Sequence, residues 1–356
     1  MFWRGRAGEE KGGSSDRSVG GDVTATATAT ASARASVAVA AAGSDWVGRR
    51  LALRVAGVAV AAAVPVVGVG GTGGVAEAAD GERRTASEGR TAPEGGAGRR
   101  LRAMTFNLRY ASEQQPNSWV QRRPVMRELL RREAPHLLGT QEGLYGQLQE
   151  IAEDLGARYS WLGTGRAGGS RDEFAAIFYD TRRLRPVEYD HFWLSDTPYV
   201  IGSATWGNSV IRMVTWVRFR DLLTGAEFYA LNTHLDHAHQ GSRERSAGLI
   251  TDRLRSLEAG LPRIVTGDFN VAAHANPVYE TMLRAGSLVD SWDAAEERSA
   301  QYATFHGYRP LVPNGDRVDW LLTSPSVRTL SAEINIFAKD GQYPSDHLPV
   351  QADLEW

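Results

Sequence analysis

The chain of 356 residues contains no cysteine and almost no lysine. Without cysteine, a disulfide framework, a thiolate metal site and a cysteine nucleophile are all excluded. Lysine occurs only at positions 11 and 339, so arginine carries nearly all of the positive charge. The formal net charge is −2, which disfavours a dedicated nucleic-acid binder, because such proteins usually present a basic face.

The first hundred residues lack the apolar periodicity of a folded domain. Residues 1–46 are rich in Gly, Ser, Thr, Ala and Arg, and we predict that they are disordered. Residues 47–79 combine a basic start, an Ala/Val/Gly run and the small-residue site Ala76-Glu-Ala78, a pattern typical of an export signal. The pair Arg49-Arg50 resembles the start of a twin-arginine signal. Residues 80–98 are predicted to form a flexible linker.

This pattern predicts a secreted protein, with a membrane anchor formed by the same apolar segment as the alternative. Pro65 and the mild hydrophobicity of the run favour the cleaved signal. Export signals normally begin a chain, so one hypothesis is that translation starts at Val47. A precursor peptide from residues 5–40 would contradict that hypothesis.

Residues 99–356 read as one folded domain in which strands and helices alternate. Several long strand segments with only a few helices predict an α/β fold of two packed, mostly antiparallel sheets with helices outside. The predicted helices are 119–133, 147–155, 242–259 and 277–285. The predicted strands are 101–106, 136–140, 174–179, 187–194, 210–219, 227–233, 263–266, 318–323, 329–337 and 350–354.

Polar side chains suited to metal binding follow or precede several of these strands. Asn107 and Glu142 each come after an apolar strand, and Asp346 comes shortly before the last one. Mg²⁺ prefers a few carboxylates together with water, and an amide can hold a metal or a phosphate oxygen. Taken singly, each residue is more typical of a turn or of a solvated loop than of a metal site.

A second group of residues at strand ends is suited to proton transfer. His234 lies in Asn232-Thr-His-Leu-Asp-His237, and Asp268 and Asn270 are two residues apart after a buried strand. Asp319, at the start of another apolar strand, is the candidate partner that orients His347. The succession of all these groups at strand ends indicates one metal-assisted phosphoesterase site.

This order of motifs resembles the endonuclease/exonuclease/phosphatase superfamily, over residues 101–356. The strongest motifs are Gly267-Asp-Phe-Asn270, Ser345-Asp-His347 and Asn232-Thr-His234. The resemblance implies a four-layer α/β sandwich and a Mg²⁺ or Mn²⁺ ion. Three stretches are similar to a bacterial branch without a settled substrate, namely Phe192-Trp-Leu-Ser-Asp-Thr-Pro198, Asn232-Thr-His-Leu-Asp-His237 and Thr304-Phe-His-Gly307.

The resemblance also implies roles for individual residues. Asn107, Glu142 and Asp346 would bind or position the metal. Asp268 would orient or activate the water, and Asn270 would stabilise the pentacovalent phosphorus. His234 would hold the phosphate, and His347, held by Asp319, would act as a base or a phosphate ligand. Glu173 lies where some members place the acid that orients the first histidine.

Three residues are expected to contact the substrate: Arg212, whose guanidinium can clamp phosphate oxygens, together with Glu173 and His306. The expected substrate is a phosphate ester, namely a sugar phosphate, a phospholipid head group or a nucleic acid, and the charge balance favours the smaller ones. No protein partner is evident, and we expect a monomer. A secreted nuclease and a binding module that has lost turnover stay open as alternatives.

Overall fold

A computed structural model describes residues 100–356 of the chain. The predicted disordered segment, export signal and linker lie outside the described residues. In the described part the strands are β1 (Leu101–Asn107), β2 (Leu137–Gly143), β3 (Tyr159–Leu162), β4 (Phe174–Asp180), β5 (Leu184–Trp193), β6 (Met213–Asp221), β7 (Glu227–His234), β8 (Arg263–Asp268), β9 (Val289–Asp290), β10 (Glu297–Arg298), β11 (Asp319–Thr323), β12 (Arg328–Ile334) and β13 (Val350–Glu355). The helices are α1 (Trp119–Glu133), α2 (Tyr145–Leu155), α3 (Gln240–Ser256), α4 (Pro277–Arg284) and α5 (Ser291–Ala294).

The strands form two mixed sheets. The first sheet has the order β10-β12-β13-β1-β2-β4-β3, and the second has the order β5-β6-β7-β8-β11-β9. Neighbouring strands are antiparallel except for the pairs β1–β2, β10–β12 and β7–β8. The predicted arrangement of two mostly antiparallel sheets is therefore confirmed.

Apolar side chains on both faces of each sheet produce four layers. Between the sheets, Leu101 and Ala103 of β1 share a core with Phe228 and Ala230 of β7. On the outer face of the first sheet, a second core includes residues of α1 and α2, and on the outer face of the second sheet a third core includes residues of α3 and α4. The helices therefore cover the outside of the sandwich. No helix in the described range is long and apolar enough to cross a membrane.

The space between the sheets changes from apolar to polar toward one edge of the sandwich. Alternate residues of a strand share a face, so along β1 the inward residues are Leu101, Ala103, Thr105 and Asn107. Along β7 the corresponding series is Phe228, Ala230, Asn232 and His234. The sequence thus places its polar groups at the edge where these strands end.

Asn232 and Gly139 bring the two sheets close together just before this edge. The buried Asn232 amide donates to the carbonyls of Thr140 and Ala176 at 2.7 and 2.9 Å, and its oxygen accepts from Gln141 and Thr266. A Cβ at Gly139 would lie 2.0 Å from Thr266 Oγ1, so only glycine permits this approach. The floor of the polar edge is therefore rigidly cross-linked.

Candidate active site

The residues singled out in the sequence converge at this edge from both sheets. Strands β1, β2, β7 and β8 end there, and strands β4, β6, β11 and β13 begin there. The shared edge brings strand-end residues and the residues just before strand starts to one cavity of about 480 Å³. The predicted residues that line it are Glu142, Glu173, Arg212, His234, Asp268, Asn270, Asp346 and His347.

Asp268 lies at the bottom of the cavity and is contacted from several directions. Its Oδ2 accepts a hydrogen bond from Asn107 Nδ2 at 2.9 Å, and its Oδ1 accepts from the backbone of Asn270, also at 2.9 Å. The Nε2 atoms of His234 and His347 lie 3.4 and 3.8 Å from Oδ2. Burial and the nearby charge of Asp319 raise the pKa of Asp268 to about 7.

His347 and Asp319 form a buried pair next to Asp268. The two atoms His347 Nδ1 and Asp319 Oδ2 are 2.9 Å apart, and Asp319 is the cross-strand partner of Asp268 in the β8–β11 ladder. Burial by itself lowers the pKa of His347, but the charge and hydrogen bond of Asp319, together with the charge of Asp268, outweigh it and raise that pKa. The imidazole is therefore held in one orientation and favours its charged form.

His234 differs from His347 in charge state. It is buried at the end of β7 and has Asp268 as its cross-strand neighbour on β8. Burial, Arg212 and His347 lower the pKa of His234 well below its usual value. A neutral imidazole beside a charged one gives the site one fixed cation and one neutral hydrogen-bonding group.

We call Asn107, Glu142 and Asp346 the acidic side of the cavity. Asn107 Nδ2 donates to Glu142 Oε1 at 3.0 Å as well as to Asp268, and the backbone of Tyr110 donates to Glu142 Oε2 at 3.2 Å. Ser345 Oγ lies 3.3 Å from Asp346 Oδ1. Glu142 has a left-handed backbone, with φ 64°, as does Asn270, with φ 53°. Asn107 orients Glu142 of this side, and the adjacent Asp268, through its amide donor.

We call Arg166, Glu173 and Arg212 the arginine side. Arg166 binds Glu173 through two hydrogen bonds of 2.7 and 3.1 Å, whereas Arg212 Nη1 is 3.9 Å from Glu173. Arg212 is only 5% exposed, and its Nε has no hydrogen-bond partner among the described residues. Burial raises the pKa of Glu173 to about 7, and the nearby charge of Glu142 adds to the shift, while the charges of Arg166 and Arg212 oppose it. The arginine side thus holds a buried cation that is incompletely paired.

Two expectations from the sequence differ from the structure. His306 is not among the cavity-lining residues: it is buried, and its Nε2 contacts the Ser345 carbonyl at 3.1 Å. Its neighbour Phe305 lines the cavity instead, with its ring centroid 4.9 Å from that of His347. Glu173 pairs with Arg166, and none of its described contacts is with His234.

Sequence reasoning missed some residues of the cavity wall, including Arg166, Tyr110 and Phe305. Both Tyr110 and Phe305 lie close to residues that the sequence does single out. Tyr110 follows Asn107 by three residues, and Phe305 lies within Thr304-Phe-His-Gly307. Arg166 lies in the loop between β3 and β4, away from any strand end. No local sequence signal marks it, because only the folded topology brings that loop to the cavity.

The donor set of this edge fits a hard divalent cation. Glu142, His234 and Asp268 each offer a ligand atom, and these atoms lie within 4.8 Å of one another. Asp346 adds a further carboxylate in the same cavity. Carboxylate oxygens with room for water are the environment that Mg²⁺ and Mn²⁺ prefer.

Comparisons with known proteins point to one family. The sequence profile of the Endonuclease/Exonuclease/phosphatase family matches residues 104–347. A comparison with curated proteins finds no match. A mannosyl-6-phosphatase of Bacteroides thetaiotaomicron is 32% identical with a TM-score of 0.68, over 72% of this chain and 100% of that chain. An endonuclease/exonuclease/phosphatase from Bacteroides vulgatus is also 32% identical with a TM-score of 0.68, over 72% and 98% of the two chains.

A more distant structure shares the fold alone. The D. rerio TDP2 complexed with a single-stranded DNA product is 14% identical with a TM-score of 0.56, over 72% of this chain and 99% of that chain. The family profile, by contrast, spans more than half of the chain and includes the strands that carry Asn107, His234 and Asp268. The chain belongs to the endonuclease/exonuclease/phosphatase family, whose members hydrolyse phosphoester bonds.

Proposed function

We propose that this chain is an exported, divalent-metal-dependent phosphoesterase that acts on small phosphorylated substrates, with sugar phosphates as the favoured class. The observation that carries the proposal is the placement of Asp268. Its buried carboxylate lies between two histidines, beside an acidic side and an arginine side, in one cavity of about 480 Å³. A cation site and an anion site that meet at a potential base suit metal-assisted attack on phosphorus.

A bound cation would be held by the carboxylates of Glu142 and Asp346, and Asn107 would orient Glu142. When bound, Mg²⁺ or Mn²⁺ would polarise the phosphate and stabilise the leaving oxygen. Asp268 accepts a proton from the attacking water and fixes its direction, as a positioned carboxylate does in general base catalysis. Asn107 and Asn270 hold the two oxygens of Asp268 through their hydrogen bonds.

The phosphate itself would be bound by Arg212, His234 and His347. The guanidinium of Arg212 meets phosphate oxygens in a fork and would gain the partner that its Nε lacks. His347 is kept charged by Asp319, which favours the role of phosphate ligand over that of base. Asn270 would support the pentacovalent phosphorus if its side chain, now donating to Leu235 O at 3.1 Å, turned to the reacting group.

The preference for a sugar phosphate over nucleic acid is supported by two observations. The mannosyl-6-phosphatase is 32% identical to this chain, whereas the DNA-bound TDP2 is 14% identical. The net charge of −2 also lacks the excess of basic residues that nucleic-acid binders usually carry.

The proposal is tested by assaying the purified domain against bis-p-nitrophenyl phosphate, mannose 6-phosphate, sphingomyelin, phosphoinositides and single-stranded DNA, with Mg²⁺ or Mn²⁺ and with EDTA. We expect metal-dependent hydrolysis that is fastest with the sugar phosphate, measured as released phosphate for monoesters and as the released alcohol or phosphomonoester for diesters. Turnover that persists in EDTA would overturn the metal dependence. Preferred cleavage of DNA would favour the nuclease alternative over a sugar phosphatase. Metal binding without turnover of any substrate would favour the inactive binding module.

Export is proposed from the signal-like residues 47–79 alone. Expression of the full chain, followed by N-terminal sequencing of the protein recovered outside the cell, tests it. We expect a mature N-terminus shortly after Ala78. A protein that stays in the membrane fraction with residues 51–71 intact would favour the anchored alternative.

A further inference from the structure

Arg122 of α1 is buried completely and has an unusual set of partners. Its Nε donates to the carbonyl of Asn117 at 2.9 Å. Its Nη1 donates to the carbonyls of Leu108 and Pro344 at 2.7 and 3.1 Å, and its Nη2 to those of Arg109 and Tyr110 at 3.2 and 2.9 Å. A guanidinium has five N–H donors, so every donor of Arg122 is bound to a backbone carbonyl.

Four of these five carbonyls, all except that of Asn117, belong to the two segments that carry Asn107 and Asp346 of the acidic side. Leu108, Arg109 and Tyr110 directly follow Asn107, and the backbone of Tyr110 donates to Glu142. Pro344 lies two residues before Asp346. One guanidinium therefore spans the gap between the segment that orients Glu142 and the segment that presents Asp346. A further hydrogen bond joins the same two segments, because Ser345 Oγ donates to the carbonyl of Asn107 at 2.7 Å.

The placement of this charge is unfavourable on its own. Arg122 lies near the N-terminal end of α1, where the helix dipole disfavours a cation, and none of its described hydrogen bonds goes to a carboxylate. A methionine of similar length would avoid the desolvation of a charge, but it would leave four of the five carbonyls without a described donor, because only the Arg109 carbonyl also accepts from Gln147. The fork of Arg122 is therefore matched to the backbone that it holds.

We propose that Arg122 is a positioning residue that fixes the separation of Glu142 and Asp346 in advance and so prepares the acidic side for a divalent cation. The inference rests on the proposed function for the nature of the ligand. The hydrogen bonds of Arg122 to the two segments are themselves a property of the metal-free protein. Arg122 does not line the cavity, so its effect on a cation passes through the backbone of the two segments.

The first experiment measures Mn²⁺ binding by calorimetry for wild type, Arg122→Lys and the control Arg123→Lys. Lysine keeps the charge but loses the planar fork. Arg123 is the neighbouring residue, and it contacts Glu150 and Asp154 of α2 instead of the site. We expect Arg122→Lys to bind Mn²⁺ roughly 10- to 100-fold more weakly, the range for residues that orient metal ligands, and Arg123→Lys to match wild type.

A folded Arg122→Lys variant with wild-type Mn²⁺ affinity would overturn this inference and leave the proposed function intact. Wild-type protein that binds no Mn²⁺ would overturn both. Circular dichroism of each metal-free variant checks that it is folded, and rescue of an Arg122→Ala variant by added guanidinium would restore Mn²⁺ affinity if the fork is the active feature.

The second experiment needs no variant and stands even if substitution of Arg122 prevents folding. Hydrogen exchange of the metal-free wild type reports on the backbone amides of Leu108, Arg109 and Tyr110, which bond to Gln141 O, Asn107 Oδ1 and Glu142 Oε2. We expect these amides to be protected before any metal is added. Free exchange that ends only on addition of Mn²⁺ would overturn the inference, because the segment would then be ordered by the cation.

Discussion

The acidic side and the arginine side of the cavity are built on opposite principles. On the acidic side, Glu142 receives hydrogen bonds from Asn107 and Tyr110. The backbone that follows Asn107 is bound in turn by Arg122. On the arginine side, Arg212 is also buried, yet its Nε has no partner among the described residues. The carboxylate of Glu142 is therefore oriented by protein groups alone, whereas an anion bound at the arginine side would supply the partner that Arg212 Nε lacks.

The largest expected effect falls where the two sides meet. Replacement Asp268→Asn keeps the shape of the side chain but removes the base, and we expect kcat to fall about 10²- to 10⁴-fold. Steady-state kinetics with the best substrate of the panel measures this, and Asp252→Asn on the exposed face of α3 is the control. Activity of Asp268→Asn within a few-fold of wild type would show that Asp268 is not the base.

The second-largest expected effect comes from removing the buried cation of the arginine side. We expect Arg212→Met to lower kcat/KM by about 10²-fold, because a buried charged donor to the phosphate is lost. The same change should leave thermal stability unchanged or raise it, since a poorly paired buried charge is removed. Arg220→Met, at an exposed position on β6, is the control.

A marked loss of stability in Arg212→Met would contradict the view that the arginine side is incomplete without an anion. An unchanged KM for phosphate esters in Arg212→Met would contradict the role of Arg212 in binding the phosphate. Differential scanning calorimetry and initial rates on the same preparations provide both tests.

The smallest effect is a pH dependence of metal binding that comes from Asp268, next to the acidic side. Burial and Asp319 raise the pKa of Asp268 to about 7, so the metal-free carboxyl keeps its proton up to that pH. A nearby cation favours the ionised form, and its binding must therefore release a proton. We expect Mn²⁺ affinity to rise with pH below about 7, by up to about tenfold per pH unit, and to level off above it. Calorimetry in buffers of different ionisation enthalpy measures the released proton, and affinity independent of pH would contradict the prediction.

The sequence predicts those parts of the molecule that depend on local pattern. Strand β1 and helix α1 follow the predicted bounds to within a residue, because apolar residues recur there with the period of the element. Helix α3 begins at Gln240 and ends at Ser256, whereas the pattern predicts 242–259. Strand β3, with only four residues, was not predicted at all, because so short a segment shows no clear alternation.

The site was predicted where a polar residue interrupts an apolar strand and missed where a loop supplies the group. Asn107, His234 and Asp268 each continue the inward face of a strand, so alternation predicts their face, and the parallel pairing of β1 with β2 and of β7 with β8 brings their strand ends to the common edge. His306 was expected in the cavity, but the adjacent Phe305 pairs with His347 in an isolated bridge and faces the site. Neighbouring residues of extended chain point in opposite directions, so the error amounts to a single position. The approach of Arg166 to the cavity depends on long-range topology.

The left-handed backbone of Glu142 and Asn270 has a consequence for engineering this protein. A side chain in that region is strained by about 1–3 kcal/mol, and glycine would relax the strain. Directed evolution for heat resistance alone should therefore enrich glycine at both positions if the relief of strain exceeds the loss of the hydrogen bonds that Glu142 and Asn270 make, and the survivors should be inactive. Variants selected for turnover should retain Glu and Asn there and recover their heat resistance from substitutions far from the cavity, so the two lineages would diverge first at these two codons.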